Sequence, residues 1–130
     1  MFFADTFRVL DKAEIRYLVV GGVAVVLHGF VRATADLDLM VDFDRPNLLR
    51  FLELMKSRGY LPKAPVPIEA FAEPETRRSW REEKGMKVFT IQHPKRAGEL
   101  IDVFSWEPIP FVEAYSRRTI FPMDGYSVSV

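Results

Sequence analysis

Three aspartates carry the residue types and spacing best suited to chemistry in this 130-residue chain. Asp36 and Asp38 lie two residues apart in the alternating stretch DLDLMVDF, so both side chains project from one face of the predicted strand, with Cβ atoms about 7 Å apart. Two carboxylates at that separation can share a hard cation such as Mg²⁺ and leave positions for water and phosphate oxygens. A solvent-facing strand rich in acids explains the same pair without any ligand.

Asp102 is a single acid inside a second strand-like run, LIDVF. Aspartate is a poor strand former, and an acid set among apolar residues needs a partner. If this strand lies beside that of Asp36 and Asp38, Asp102 completes a cluster of three carboxylates. Such a cluster suits metal-dependent phosphoryl or nucleotidyl transfer, in which one carboxylate orients or deprotonates the attacking hydroxyl. Asp42, near the end of the first strand, better fits an ordinary solvent-facing position.

A Gly21-Gly22 turn lies between the β-branched run YLVV and a short buried helix predicted over residues 23–29. A turn that leads into a helix presents free backbone N–H groups, and glycines let a phosphate approach them closely. A triphosphate is therefore a candidate ligand, although Gly-Gly turns are common without one. Arg32 is interpreted equally as a phosphate contact or a surface ion pair. Thr34 serves either as a local hydrogen-bonding group or as an ordinary strand residue.

The remaining patterns supply the elements that must position these residues. The spacing of apolar residues predicts helices over 4–15, 45–59, 73–85 and 110–118, with Asp44 as the cap of the second and Gly59 at its end. MKVFTIQ and ELIDVFSW predict a pair of strands, Asp-Gly near the C-terminus predicts a hairpin, and the proline-rich residues 61–71 predict a surface loop. The sum predicts an α/β or α+β fold with one mixed sheet.

Composition restricts the class of protein. The length fits a single domain over residues 1–130, the formal net charge is zero, and there are no cysteines. Disulfides, thiol catalysis and Cys-ligated zinc are thus excluded, and net charge gives no general case for binding nucleic acid or a membrane. The cluster of Arg77, Arg78 and Arg81 is interpreted as a solvated face. Without a long apolar run or a secretory signal, the sequence predicts a cytoplasmic protein with no membrane partner.

Taken in order, Gly21-Gly22, Asp36-Leu37-Asp38 and Ile101-Asp102-Val103 resemble the signature of the DNA polymerase β-like nucleotidyltransferase superfamily. That signature is Gly-Gly or Gly-Ser, a spacer of about a dozen residues, Asp-apolar-Asp, and a later apolar-Asp-apolar strand. The stretch around His28-Gly29, with the sequence pattern R-x-T-x-D-x-D that follows it, is most similar to a small bacterial group of AbiEii-type toxins and minimal nucleotidyltransferases. SWREEKGMKVFTIQHP and EPIPFVEAYSRR extend the resemblance over nearly the whole chain.

The resemblance implies a mixed sheet flanked by helices and a specific site. In it, Asp36 and Asp38 bind Mg²⁺ or Mn²⁺, and Asp102 is the third ligand or the general base. Gly21 and Gly22 lie at the phosphates of a nucleoside triphosphate. Arg32 and Thr34 are further candidates for nucleotide binding.

The implied reaction transfers a nucleoside monophosphate from a nucleoside triphosphate to an acceptor hydroxyl on RNA, protein or a small molecule. Two other interpretations stay open. One is the toxin component of a toxin–antitoxin pair, with an antitoxin protein as partner. The other is a catalytically inactive nucleotide-binding or scaffold domain. Relatives in the group continue past the final hairpin into a C-terminal helical region, which these 130 residues lack.

Overall fold

The computed structural model describes residues 3–21, 24, 36–96 and 99–130. Within these residues the helices are α1 (Ala4–Lys12), α2 (Arg45–Ser57), a 3₁₀ helix (Ile68–Ala72), α3 (Pro74–Lys84) and α4 (Phe111–Ser116). The strands are β1 (Tyr17–Val20), β2 (Asp36–Val41), β3 (Leu61–Pro62), β4 (Val88–Gln92), β5 (Leu100–Phe104), β6 (Ile120–Pro122) and β7 (Ser127–Ser129). Of the helix predicted over residues 23–29, only Ala24 lies among the described residues.

Five strands form one mixed sheet in the order β1-β2-β5-β4-β3. β2 and β5 run parallel, whereas every other neighbouring pair in this sheet is antiparallel. Parallel neighbours require a crossover, and the chain between β2 and β5 supplies it through α2, the 3₁₀ helix and α3. The predicted α/β (α+β) fold, a mixed sheet flanked by helices, is confirmed.

The C-terminal hairpin does not join that sheet. β6 and β7 pair with each other as a separate two-stranded sheet, beside the one mixed sheet, so the prediction of a hairpin is confirmed. Side chains, rather than a strand ladder, connect β7 to the rest of the fold. The Ser127 N–H donates to the Asp11 carboxylate at 3.0 Å, and the Ser129 N–H donates to the Tyr17 hydroxyl at 3.4 Å.

One face of the five-stranded sheet carries the main core. Alternate residues of β2, β4 and β5 are buried there, because successive side chains of a strand point to opposite faces. They pack with apolar residues of α1 and α2 in a single cluster that includes Phe7, Leu10, Leu37, Leu39, Leu48, Phe51, Leu52, Met55, Phe89, Ile91, Ile101 and Val103. Burial of each such side chain contributes roughly 1.5–3 kcal/mol.

The other face of the sheet has a smaller apolar cluster at one end. Leu18 of β1 and Met40 of β2 pack there against Phe111, the first residue of α4, with Val20 and Phe104 at the margin. Helix α4 therefore covers the part of this face where β2 and β5 end. We call this face, which is opposite the main core, the outer face.

The segment after α2 departs from the predicted surface loop. Leu61–Pro62 forms strand β3, and the 3₁₀ helix buries Ile68 and Phe71. The Phe71 ring stacks on Phe89 with centroids 4.7 Å apart. Pro62 is tolerated in β3 because β3 is an edge strand of only two residues.

Arg77 contradicts the prediction of a solvated basic face. Its side chain is buried, and its guanidinium lies 4.3 Å from the centroid of the Phe43 ring. Its Nη1 donates to the backbone carbonyl of Phe71 at 2.7 Å. Burial lowers the pKa of Arg77 from its usual value. Contacts with Phe43, just after β2, and with Phe71 of the 3₁₀ helix thus account for the burial of Arg77. The cluster of arginines in the sequence does not indicate these contacts.

Two acids just after β2 are held by Arg16. The strand ends at Val41, and the Asp42 carboxylate accepts a hydrogen bond from Arg16 Nε at 2.7 Å, with its side chain only 19% exposed. This contact raises the pKa of Arg16. The prediction that Asp42 is a solvent-facing strand residue is therefore wrong. Asp44 occupies the N-cap position of α2, but its side chain makes no capping hydrogen bond and accepts from Arg16 Nη2 instead.

Asn47, in the first turn of α2, fastens the same corner and is fully buried. Its Nδ2 donates to the carbonyls of Arg16 and Asp42, and its Oδ1 accepts from the Arg16 N–H at 2.8 Å. We call Arg16, Asp42, Asp44 and Asn47 the Arg16 cluster.

Among the described residues, no helix has both the length and the apolar composition that a membrane span requires.

Candidate active site

Asp38 and Asp102 lie side by side on the outer face. They are Cα partners in the parallel pairing of β2 with β5, and neighbouring strands are about 4.8 Å apart. Leu37, Leu39, Ile101 and Val103 flank them and are fully buried in the main core, so the two aspartates must point the other way. The structure thus brings together two residues that are distant in sequence.

Asp36 completes this row of acids. It is the first residue of β2, is exposed, and pairs with Leu100. Because it is two residues from Asp38 along the strand, its side chain shares the outer face at a Cβ separation of about 7 Å. Asp38 and Asp102 are half-buried. All three predicted carboxylates therefore lie on one face of the sheet, and we call them the acid row.

Thr90 belongs to the site and was missed by the sequence analysis. It is the cross-strand partner of Asp102 on β4, and its hydroxyl donates to Asp102 Oδ1 at 2.6 Å. This short hydrogen bond fixes the orientation of the carboxylate. Only the register of β4 against β5 places Thr90 opposite Asp102.

Gly21 brings the main chain against the acid row. Its neighbour Val20 pairs with Asp38, and Gly21 itself has a φ of +71°. A Cβ built on Gly21 would lie 2.2 Å from Asp38 Oδ2, a separation that no side chain can occupy. Glycine is thus required here both for its backbone conformation and for the close approach. The predicted phosphate turn begins directly beside the predicted metal ligand.

Three other predicted site residues, Gly22, Arg32 and Thr34, lie outside the described residues, as does His28. Their predicted roles at the nucleotide therefore stay predictions. The described site consists of the acid row, Gly21 and Thr90.

The donor chemistry of the acid row fits Mg²⁺ or Mn²⁺. Carboxylate oxygens are the hard ligands that these ions take, and Asp38 and Asp102 are adjacent. Over residues 3–21, 24, 36–96 and 99–130, no group of three or more His, Cys, Asp or Glu side chains is arranged to hold a metal ion. Mg²⁺ is usually held by one or two carboxylates together with substrate phosphates, so a pair of aspartates suffices for the fit.

The surroundings of the acid row are uneven. Two residues further along each strand, Met40 follows Asp38 and Phe104 follows Asp102, and both belong to the apolar cluster under α4. On the neighbouring strand β4, Thr90 is opposite Asp102 and Val88 is opposite Phe104, and these two half-buried residues border an open groove of about 280 Å³. One end of the acid row thus adjoins a covered apolar patch.

Comparison with known proteins gives no match: no family model, no curated protein and no solved structure matches this chain.

Proposed function

We propose that this protein is a metal-dependent nucleotidyltransferase that moves a nucleoside monophosphate from a nucleoside triphosphate to an acceptor hydroxyl on RNA, protein or a small molecule. The observation that carries the proposal is the side-by-side placement of Asp38 and Asp102 on one sheet face, with the main chain at Gly21 against Asp38. The two aspartates are distant in sequence, and Gly21, Asp38 and Asp102 follow one another along the chain in the order that the resemblance implies.

The alternative of a merely solvent-facing acidic strand explains less. Like charges on directly opposed strand positions repel, and aspartate disfavours strands, so neighbouring aspartates on two strands carry a cost. Asp38 and Asp102 are also half-buried rather than fully in solvent. A bound cation relieves that repulsion.

In the proposed mechanism, Asp36 and Asp38 hold the divalent cation, with Asp102 beside them. When bound, that cation neutralises charge on the triphosphate and on the leaving pyrophosphate. Asp102, oriented by Thr90, receives the proton of the acceptor hydroxyl. The acceptor oxygen forms a bond to the α-phosphorus, the bond between that phosphorus and the bridging oxygen to the β-phosphate breaks, and pyrophosphate leaves with the electron pair. Positioning and charge neutralisation supply most of the acceleration.

Isothermal titration calorimetry with each nucleoside triphosphate tests the proposal, with and without millimolar Mg²⁺. We expect binding that requires Mg²⁺, disappears when the metal is chelated, and is lost in the double variant Asp36→Asn/Asp38→Asn. The absence of nucleotide binding to the folded wild-type protein at millimolar Mg²⁺ would contradict the proposal. Incorporation of a label from the α-phosphate into an added acceptor then measures transfer directly.

The proposal includes a cytoplasmic location, where nucleoside triphosphates and Mg²⁺ are abundant and a chain without cysteines needs no disulfides. The toxin role and its antitoxin partner stay predictions, because they depend on the resemblance alone. Growth of cells that express the wild type or the double variant tests that role separately.

A further inference from the structure

A cleft of about 420 Å³ lies at the β1 edge of the five-stranded sheet, between α1, α4 and the C-terminal hairpin. Tyr17, the first residue of β1, lines it, whereas Val20 at the other end of β1 pairs with Asp38. The cleft is therefore at the end of β1 away from the acid row, and the proposed function does not account for it. We call it the edge cleft. Its volume is in the range typical of small-molecule sites.

Glu14 lines the edge cleft in a backbone conformation that side chains disfavour, with a φ of +55°. It follows α1 in a Schellman motif, in which the Glu14 N–H donates to the Asp11 carbonyl and the Ile15 N–H donates to the Leu10 carbonyl. Helices that end in this motif usually carry glycine at the position of Glu14, because glycine adopts a positive φ without strain. A strained glutamate where glycine fits better points to a role for its carboxylate.

Arg118 lines the opposite side of the edge cleft, two residues after α4. Its guanidinium lies 3.8 Å from the centroid of the Tyr115 ring, and its Nη1 donates to the Tyr115 carbonyl at 3.0 Å. These two contacts hold the guanidinium in place. Its Nε is buried without a hydrogen-bond partner, and no carboxylate in the part of the chain that the structure describes forms an ion pair with it. The guanidinium is thus left for an acceptor, and carboxylates match its planar fork.

The edge cleft contains both signs of charge on different elements. Asp11 and Glu14 at the end of α1 are negative, and Arg118 is positive. A simple cation would lie near Arg118, and a simple anion would lie near two carboxylates, so each would meet a like charge. A molecule that carries both charges meets an opposite charge at each end. Ile15 and Ile120 add apolar surface to the lining.

The Tyr17 hydroxyl adds a hydrogen-bond donor to the lining. It accepts a hydrogen bond from the Ser129 N–H at 3.4 Å, which leaves its own hydrogen free to be donated. Burial raises the pKa of Tyr17 to about 12, so the hydroxyl keeps its proton at neutral pH. A carboxylate in the cleft can therefore accept from this hydroxyl as well as from Arg118.

We propose that the edge cleft binds a small zwitterion, with its ammonium group at Glu14 and its carboxylate at Arg118. This inference does not rest on the proposed nucleotidyl transfer. Two sources share the chemistry: an α-amino acid, and an amino acid whose two charges are further apart.

Methyl NMR of the full chain, titrated with L-alanine, β-alanine and γ-aminobutyrate, tests the proposal. We expect shifts at the methyl groups of Ile15 and Ile120, which line the cleft. We expect none at Ile91, which is fully buried on β4, three strands away from β1 in the sheet. Tightest binding of L-alanine identifies an α-amino acid as the source, and tightest binding of either longer ligand identifies an amino acid with separated charges.

Glu14→Gly separates a binding role from a structural one. It should raise the urea midpoint, because glycine relieves the positive φ, and it should weaken zwitterion binding about tenfold, because it removes the charged partner of the ammonium group. A glutamate with only a structural role would not show these opposed effects.

Arg118→Gln should weaken binding by a similar factor of about ten, since it removes the charged partner of the carboxylate. Arg117→Ala is the matched control, because Arg117 is exposed, pairs with Glu113 and lies outside the cleft lining. The affinity of Arg117→Ala should equal that of wild type.

Three results would overturn the inference. One is the absence of Ile15 and Ile120 shifts with all three zwitterions at about 10 mM, a concentration that detects even weak binding. Another is that methylammonium or acetate alone binds as tightly as the zwitterions, which assigns the cleft to a simple ion. The third is that Glu14→Gly binds the zwitterion as tightly as wild type. Failure of triphosphate to bind at the acid row removes the proposed function and leaves this inference standing.

Discussion

The acid row and the Arg16 cluster both take aspartates from one stretch of nine residues, DLDLMVDFD, but these aspartates have different neighbours in the fold. Asp42 and Asp44 share one cation, Arg16, at the corner between β1 and α2. Asp38 instead lies beside another carboxylate, Asp102, on the neighbouring strand. The first arrangement neutralises charge and fastens the fold. The second places two carboxylates together, which suits a cation, beside a glycine at which a phosphate can approach the main chain closely.

The comparison predicts that the same substitution has different consequences for transfer in the two regions. Asp38→Asn should lower nucleotidyl transfer by about 10²–10³-fold, because it removes a charge that acts on the reacting groups. Transfer assays with an α-labelled triphosphate measure this loss, and urea denaturation of the same variant shows that the protein is still folded.

Asp42→Asn is the matched control for that experiment. Transfer should stay within a few-fold of wild type, and the free energy of unfolding should fall by about 1 kcal/mol, because the contact with Arg16 is partly exposed to solvent. If Asp42→Asn abolished transfer as fully as Asp38→Asn, the division between the two regions would be wrong.

Asn47→Ala addresses the structural role of the Arg16 cluster. The side chain is fully buried and makes three hydrogen bonds to backbone groups, so we expect the free energy of unfolding to fall by about 2–3 kcal/mol. Mg²⁺-dependent triphosphate affinity should be unchanged under conditions in which the variant is folded. A loss of affinity with no change in the urea midpoint would show that the cluster belongs to the site.

Gly21→Ala tests whether the acid row needs the close approach of the main chain. Gly125 is the matched control, because it also has a positive φ, +83°, but an added Cβ there meets nothing within 4 Å. Gly125→Ala should cost about 1–2 kcal/mol from backbone strain alone. Gly21→Ala should cost more and should also weaken Mg²⁺ binding, because its methyl group displaces the Asp38 carboxylate. Equal effects of the two variants on stability and metal affinity would remove Gly21 from the site.

Thr90→Val gives the smallest expected effect. It keeps the shape of the side chain and removes the hydrogen bond to Asp102, which we expect to cost about 1 kcal/mol in transfer, or roughly fivefold. Thr90→Ser should restore most of the rate, since it restores the hydroxyl. If Thr90→Val and wild type transfer equally, the orientation of Asp102 does not depend on this contact.

Local patterns predicted much of the described fold. The alternation in DLDLMVDF placed Leu37 and Leu39 in the core and Asp36 and Asp38 on the other face, because side chains alternate along any strand. Apolar spacing likewise predicted α2. The proline-rich residues 61–71 do not form the predicted surface loop, because the burial of Phe71 depends on rings that are distant in sequence.

The sequence by itself determined that residues 36–41, 88–92 and 100–104 form strands, that Asp36 and Asp38 share one face, and that two glycines precede the acid pair. The tertiary structure alone decided that Asp38 pairs with Asp102, that Thr90 binds Asp102, and that Arg16 neutralises Asp42. The physical reason is the range of the interactions. Alternation and turn formation depend on neighbouring residues, whereas the register of two parallel strands depends on the packing of the whole crossover between them.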